Sequence, residues 1–321
     1  ILGTDEECGS SDIRHYYSIE KEAPMTFSPD AEYPLVNTEK GRFPGHFTAG
    51  FEASDALPRL VSIKAGTKVN VVPGKAKAAV EGFEMVALEK AAAETKEETG
   101  ISFELAAEGT VTEITATGIG AHASTPDVGN NALTGLLVFL GKLDFASCPQ
   151  VDMVRKTASL FPHGDVNGKT LGVAMEDELS GNLTLSFNML IVDAASMDGE
   201  FDGRIPVCGN DENVLEVVRA RMAEQGLTLL NKALIPPHHV SADSYFVKTL
   251  LAAFELYTGR KGECQALGGG TYVHHLENGV AFGAAMPETD NKMHGPDEFA
   301  VVDELLVSAK IFAQAIVDLC G

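Results

Sequence analysis

Four short stretches carry side chains able to do acid–base or metal chemistry. The run Gly3-Thr4-Asp5-Glu6-Glu7-Cys8-Gly9 gathers three carboxylates at the end of an apolar segment. In open α/β sheets ligands bind beyond the carboxyl ends of the strands, so carboxylates at a strand end mark a place for chemistry. Side chains alternate along a strand, which puts Asp5 and Glu7 on one side and brings Glu6 to them only if the backbone turns at Glu6. A solvated acidic turn is the alternative for this run.

Phe27-Ser28-Pro29-Asp30-Ala31-Glu32-Tyr33-Pro34 adds Asp30 among prolines that stiffen its loop, although Asp after Pro is also ordinary turn chemistry. Asn291-Lys292-Met293-His294-Gly295-Pro296-Asp297-Glu298 offers His294 in a polar loop, with Asp297 and Glu298 read as the acidic first turn of the last helix. Glu7, Asp30 and His294 together form a mixed nitrogen and oxygen donor set that zinc accepts. In Gly118-Ile119-Gly120-Ala121-His122-Ala123-Ser124-Thr125-Pro126, small neighbours leave room for a ligand at His122. Gly129-Asn130-Asn131-Ala132 then opens a helix whose N-terminus favours anions. A satisfied surface histidine is the alternative.

The elements that must hold these groups fall into three stretches. Residues 12–51 are rich in proline and glycine and read as loops around a site. Residues 60–63, 67–72, 101–105, 111–117, 183–192 and 227–235 alternate or run apolar as strands, while 85–99, 131–143 and 213–225 repeat at helical spacing. That order predicts an α+β sandwich with ferredoxin-like repeats. After Pro236-Pro237 come a helix over 243–257, a glycine cluster, a short strand at 280–285 and an amphipathic helix over 302–319. Residues 1–7 read as a buried strand, so both chain ends are expected to share one α/β domain, with the middle inserted. The expected divisions are 1–40 and 237–321 for that domain and 41–236 for the insertion.

At 321 residues the chain exceeds the ~250 at which single cores usually stop growing, which favours two units. It is 45% hydrophobic and 22% charged, and no apolar run approaches the ~18 residues of a membrane span. A formal net charge of -22 repels nucleic acid and anionic lipid and fits a basic partner or plain solubility. Cys8, Cys148, Cys208, Cys264 and Cys320 are scattered and odd in number, which suits a reducing compartment, so the cytoplasm is expected. Ile1-Leu2-Gly3-Thr4 reads as a strand entered midway, so further sequence is expected before Ile1.

Taken in order, these stretches resemble the co-catalytic zinc peptidases that include the PepV dipeptidases, carnosinases and aminoacylases. The resemblance covers essentially the whole chain. Gly3 to Gly9 resembles the glutamate motif, Ser28 to Pro34 the aspartate ligand, Val69-Asn70-Val71-Val72-Pro73 a lid strand and Gly118 to Ala132 the lid histidine motif. Gly268-Gly269-Gly270-Thr271-Tyr272 and Met293-His294-Gly295-Pro296 complete it. The resemblance implies a zinc-peptidase-type α/β catalytic domain (phosphorylase/hydrolase-like), incomplete in this chain, with an inserted α+β ferredoxin-like lid. It also implies two zinc ions about 3.5–4 Å apart. Glu6 is then the general base, and Glu7, Asp30 and His294 are metal ligands. His122 is the oxyanion donor, while Asn70 and Arg204 hold the substrate carboxylate beside Gly268, Gly269 and Thr271.

Two departures stand against the pattern. The family's His-x-Asp motif belongs upstream of the glutamates, where nothing precedes Ile1; His163-Gly164-Asp165 has the spacing but sits among loop residues of the middle unit and is read as a decoy. Because the upstream ligands are missing, this chain alone is expected to be inactive and to hold metal weakly or partially. In Val273-His274-His275, histidine stands where the PepV type commonly carries arginine, which bears on substrate preference. The leading expectation is a metal-dependent dipeptidase acting on dipeptides or N-acyl amino acids, monomeric because the long lid replaces a second subunit. The alternative is a non-catalytic peptide- or metal-binding protein of the same fold. A ferredoxin-like interaction domain would explain the middle but not the carboxylates and histidines at both ends.

Overall fold

The computed structural model describes residues 1–6, 9–292 and 296–321. They form two units: Ile1–Lys40, Glu178–Ser180 and Pro237–Gly321 make the first, Gly41–Asp177 and Gly181–Pro236 the second. The chain begins with α1 (Ser11–Ile19), β1 (Thr26–Ser28), β2 (Ala31–Glu32) and β3 (Leu35–Glu39). The middle holds β4 (Gly41–Gly50), β5 (Arg59–Ala65), β6 (Val71–Val72), β7 (Lys75–Glu81), α2 (Met85–Thr99), β8 (Ser102–Glu108), β9 (Val111–Thr117) and β10 (Ala121–His122). It continues through α3 (Ala132–Gly141), α4 (Pro149–Leu160), β11 (Glu176–Asp177), β12 (Gly181–Asn182), β13 (Thr184–Val192), β14 (Ser196–Ile205), α5 (Glu216–Glu224) and β15 (Thr228–Leu229). The last stretch carries β16 (His238–His239), α6 (Tyr245–Thr258), β17 (Cys264–Leu267), β18 (Gly279–Ala281), β19 (Ala284–Ala285) and α7 (Val302–Cys320).

In the second unit eight strands pair in the order β15-β4-β14-β13-β5-β7-β9-β8. Every pairing is antiparallel, so each strand alternates its side chains between two faces. Towards one edge of this sheet, rings lie over glycines: Phe201 faces Gly45 across β14 and β4, and Phe47 faces Gly199. A Cβ at Gly45 would run into the Phe201 ring, and one at Gly199 into the Phe47 ring. These glycines are therefore packing sites for aromatic side chains. The helix α3 is buried on nearly every side, as its almost wholly apolar sequence requires, and Asn131 caps it by accepting from the Leu133 and Thr134 N–H groups.

The first unit is organised around β3, which is buried at all five positions. It pairs in parallel with β17 and antiparallel with β16 and β18, while β1 runs parallel to β18. Its core includes an aromatic group in which the ring of Tyr33 lies 5.3 Å from both Phe254 and Phe282. Each such pair adds about 0.5–1.5 kcal/mol beyond its burial.

The structure corrects several readings of the sequence. Residues 1–5 are not a strand: Ile1 and Leu2 are 75% and 96% exposed, and no described strand lies beside them. The stretch read as loop over 12–51 contains α1 and the ten-residue β4, in which Pro44 is tolerated at an exposed position. Residues 67–70 form a turn before the two-residue β6, and 227–235 contain only β15. By contrast α2 and β9 occupy the ranges expected for them.

Candidate active site

In the first unit the backbone turns at Asp5 and Glu6. The Asp5 carbonyl accepts from Ser10 N–H at 2.8 Å and the Glu6 carbonyl from Gly9 N–H at 3.4 Å. The turn is held by Asp12, on the first turn of α1. One Asp12 carboxylate oxygen, Oδ2, accepts from Thr4 N–H at 2.7 Å, Asp5 N–H at 3.1 Å and the Tyr272 hydroxyl at 2.9 Å. The N–H of Thr4, first among several donors, keeps the Asp12 carboxyl below its usual range against the opposing effect of burial. Burial raises the Tyr272 phenol, and the negative charges of Asp12 and Glu6 push it the same way. Gly3 makes room for this clamp, because a Cβ there would run into the Tyr272 hydroxyl. The Asp5 carboxylate is itself engaged by Ser11, through N–H at 2.7 Å and Oγ at 2.5 Å.

Tyr272 follows the glycine cluster 268–270, which links β17 to a short helical turn, Tyr272–His275. A buried carboxylate fixes this segment. Glu39, at the end of β3, accepts from Thr271 N–H at 3.1 Å, from Thr271 Oγ1 at 2.8 Å, and faces His274 Nδ1 at 2.8 Å. Glu39 and His274 side chains are 1% and 3% exposed, so each removes the other's desolvation problem. Sequence reasoning singled out Thr271 and His274 but not Glu39, whose partner lies 235 residues away. Asp30 lies in an exposed turn between β1 and β2, where Ala31 N–H donates to the Gly283 carbonyl at 2.7 Å.

Two of the three expected metal ligands, Glu7 and His294, lie outside the described residues. Among the described residues no group of three or more His, Cys, Asp or Glu side chains is arranged to hold a metal ion. The donor chemistry of Glu7, Asp30 and His294, two carboxylates and an imidazole, is nevertheless of the kind zinc takes.

In the second unit two of the expected residues, Asn70 and His122, are neighbours. His122 sits on β10, paired with Val71 of β6, and Ala123 N–H donates to the Asn70 carbonyl at 3.0 Å, so Asn70 and His122 are neighbours. His122 Nδ1 accepts from Ser124 N–H at 3.2 Å and lies 2.6 Å from Ser124 Oγ. A ring nitrogen that accepts from an N–H carries no proton, which places the neutral imidazole's proton on Nε2 and makes Nε2 a donor. Arg204 is on β14, directly opposite Arg42 of β4. Two residues earlier, on the same face, the buried Asp202 binds Arg204 through Nε at 2.6 Å and Nη2 at 3.0 Å. Burial raises the Asp202 carboxyl most, and the charges of Arg204, His122 and Arg42 draw it back down. Asp202 escaped the sequence reading because β14 itself did.

His163 and Asp165 serve the second unit's own structure. His163 Nδ1 lies 2.9 Å from Thr134 Oγ1, and burial lowers its pKa. Burial also acts to raise the Asp165 carboxyl, but the Thr170, Lys169 and Asn167 N–H groups outweigh it and leave it lowered.

No family model matches the chain. The chain is 35% identical over 329 residues to the protein named Putative dipeptidase YtjP of Bacillus subtilis, across 99% of this chain and 68% of that protein. It is 34% identical over 324 residues to Beta-Ala-Xaa dipeptidase of Lactobacillus delbrueckii subsp. lactis, across 99% of this chain and 67% of the other. Its fold is similar to that of aminoacylhistidine dipeptidase from Vibrio alginolyticus, with a TM-score of 0.51 and 12% identity over 94% of this chain and 67% of that one. The fold is that of a mixed α/β metallopeptidase. The chain belongs to the PepV-like dipeptidase family of metallopeptidases.

Proposed function

We propose that the protein hydrolyses the amide bond of dipeptides in a metal-dependent reaction, with N-acyl amino acids as related substrates. The observation that carries this reading is the correspondence of nearly the whole chain with a Beta-Ala-Xaa dipeptidase at 34% identity. Glu7, Asp30 and His294 would hold metal, and zinc is the metal their donor set favours. Bound there, zinc supplies polarisation of the scissile carbonyl and acidification of water.

The chain's own residues do the rest. Glu6, whose turn is clamped by Asp12, takes a proton from the attacking water and passes it to the leaving amine. The Nε2–H of His122 donates to the oxyanion that develops on the carbonyl oxygen. Arg204, with Asn70, holds the substrate's terminal carboxylate, for which a guanidinium is suited by its forked donors. The backbone from Gly268 to Thr271, fixed by Glu39, borders the same substrate.

In this reading residues 1–40 and 237–321 are the catalytic domain and 41–236 a ferredoxin-like lid, supported by the division of the chain near those positions and by the antiparallel sheet with its helices. Within this reading the protein acts as a monomer in the cytoplasm, supported by the long lid and by the scattered cysteines. No helix among the described residues is long and apolar enough to cross a membrane. The test is dipeptide hydrolysis by the native protein with and without chelator. Loss of activity on chelation and its return with zinc are expected; hydrolysis that survives complete metal removal would refute the proposal.

A further inference from the structure

We infer that Asp202 is a positioning residue for substrate recognition: it orients the Arg204 guanidinium that receives the substrate carboxylate. The inference rests on the reading of Arg204 given above and deepens it.

A strand places residues two apart on one face, so Asp202 and Arg204 of β14 are neighbours by construction. Directly across the pairing with β4, Arg204 meets Arg42. Two guanidiniums in register repel, and that repulsion would push the two side chains apart. Asp202 opposes this with a side-on grip, taking Nε–H at 2.6 Å and one Nη2–H at 3.0 Å on its two oxygens. Such a two-point contact fixes the plane of the guanidinium as well as its position. It also sets how the fork faces: Nε–H and one Nη2–H are committed to Asp202, and Nη1 lies on the far side of the guanidinium from it.

The environment makes this grip stiff. Asp202 and Arg204 side chains are only 6% and 5% exposed, so solvent screens their attraction little. Neither the rigidity nor the choice of edge would follow from an arginine held by packing alone. One buried carboxylate thus fixes the expected carboxylate anchor from its own strand.

The experiment compares a dipeptide with its C-terminal amide, which lacks the carboxylate, using the native protein and its Asp202→Asn, Asp202→Glu and Arg204→Lys variants. Asp202→Glu keeps the charge and moves it by one methylene, so it keeps the test open if the asparagine variant does not fold. The inference predicts that the Asp202 variants raise KM for the dipeptide about tenfold or more and reduce kcat/KM for the amide far less, so that the acid-over-amide preference collapses as it does in Arg204→Lys. If Arg204→Lys loses the preference while every folded Asp202 variant keeps it, Arg204 binds the carboxylate without Asp202 and the inference is overturned. If Arg204→Lys itself keeps the preference, the reading of Arg204 fails and the role of Asp202 falls with it.

Discussion

The Tyr272 hydroxyl donates to Asp12 Oδ2 at 2.9 Å and ties the glutamate turn near the start of the chain to the segment after the glycine cluster, 260 residues further on. Asp12 accepts the Thr4 and Asp5 N–H groups through the same oxygen, so one carboxylate aims the backbone that carries Glu6. Asp12→Ala removes all three contacts, whereas Tyr272→Phe removes one of them together with the hydroxyl's own contact to Asp5 N–H at 3.0 Å. We expect kcat to fall about 10- to 100-fold in the first and less in the second, with KM nearly constant, because displacement of a catalytic group by about 1 Å costs rate rather than affinity. Steady-state kinetics on both variants checks the order; equal, full activity in Asp12→Ala would contradict it.

For His122 the hydrogen bond from Ser124 N–H to Nδ1 specifies the Nε2–H tautomer. Nitrogen NMR of the neutral ring should show Nδ1 unprotonated and Nε2 protonated, and Ser124→Ala should leave that assignment intact because the backbone donor remains. His122→Ala should lower kcat by about 100- to 1000-fold, the usual loss for one oxyanion donor. A ring protonated on Nδ1 would rule out the assigned role.

Glu39 is expected to matter for stability. It is the buried acceptor for Thr271 and the partner of His274. Glu39→Ala leaves those donors without their acceptor, and breaking a buried pair from one side costs about 3–5 kcal/mol. Urea unfolding should register that loss; a change below about 1 kcal/mol would show that the segment is held by other contacts.

Tyr33 supplies a pH signature. Burial pushes its phenol from 10.0 up to about 12. The folded value lies above the unfolded one, so the stability gained from neutral Tyr33 is complete below the unfolded pKa and is lost as pH rises through the folded one. Denaturant melts should therefore show stability declining from about pH 10 toward pH 12, and more gently in Tyr33→Phe. Identical slopes in the two proteins would contradict the assignment.

The legible parts of this molecule are those where one period dominates. The helical repeat of α2 and the alternation of β9 are uninterrupted, and both elements lie where those patterns place them. The neighbouring strands β4 and β14 also alternate, with Phe43 and Phe47 or Met197 and Phe201 turned inward. Their signal is broken by Gly45, Gly199 and Pro44, which look like loop residues in a linear reading. Only the paired strand supplies the reason, since each glycine is occupied by a ring from the opposite chain segment. The same effect hid part of the candidate site. Arg204 was reached through the family resemblance, but Asp202 has meaning only once β14 is a strand and the two side chains share a face. Glu39 was likewise invisible, because Thr271 and His274 lie more than 200 residues from it, and so was the link from Asp12 to Tyr272.

The most direct test of the central claim is kcat for dipeptide hydrolysis by Glu6→Gln in the zinc-loaded native protein, with metal content measured alongside. Glutamine keeps the shape of Glu6 and cannot take a proton. The account predicts that zinc is retained while kcat falls by about 100- to 10,000-fold, the range of a lost general base. A Glu6→Gln protein that binds metal and turns over substrate at the unmodified rate would contradict it.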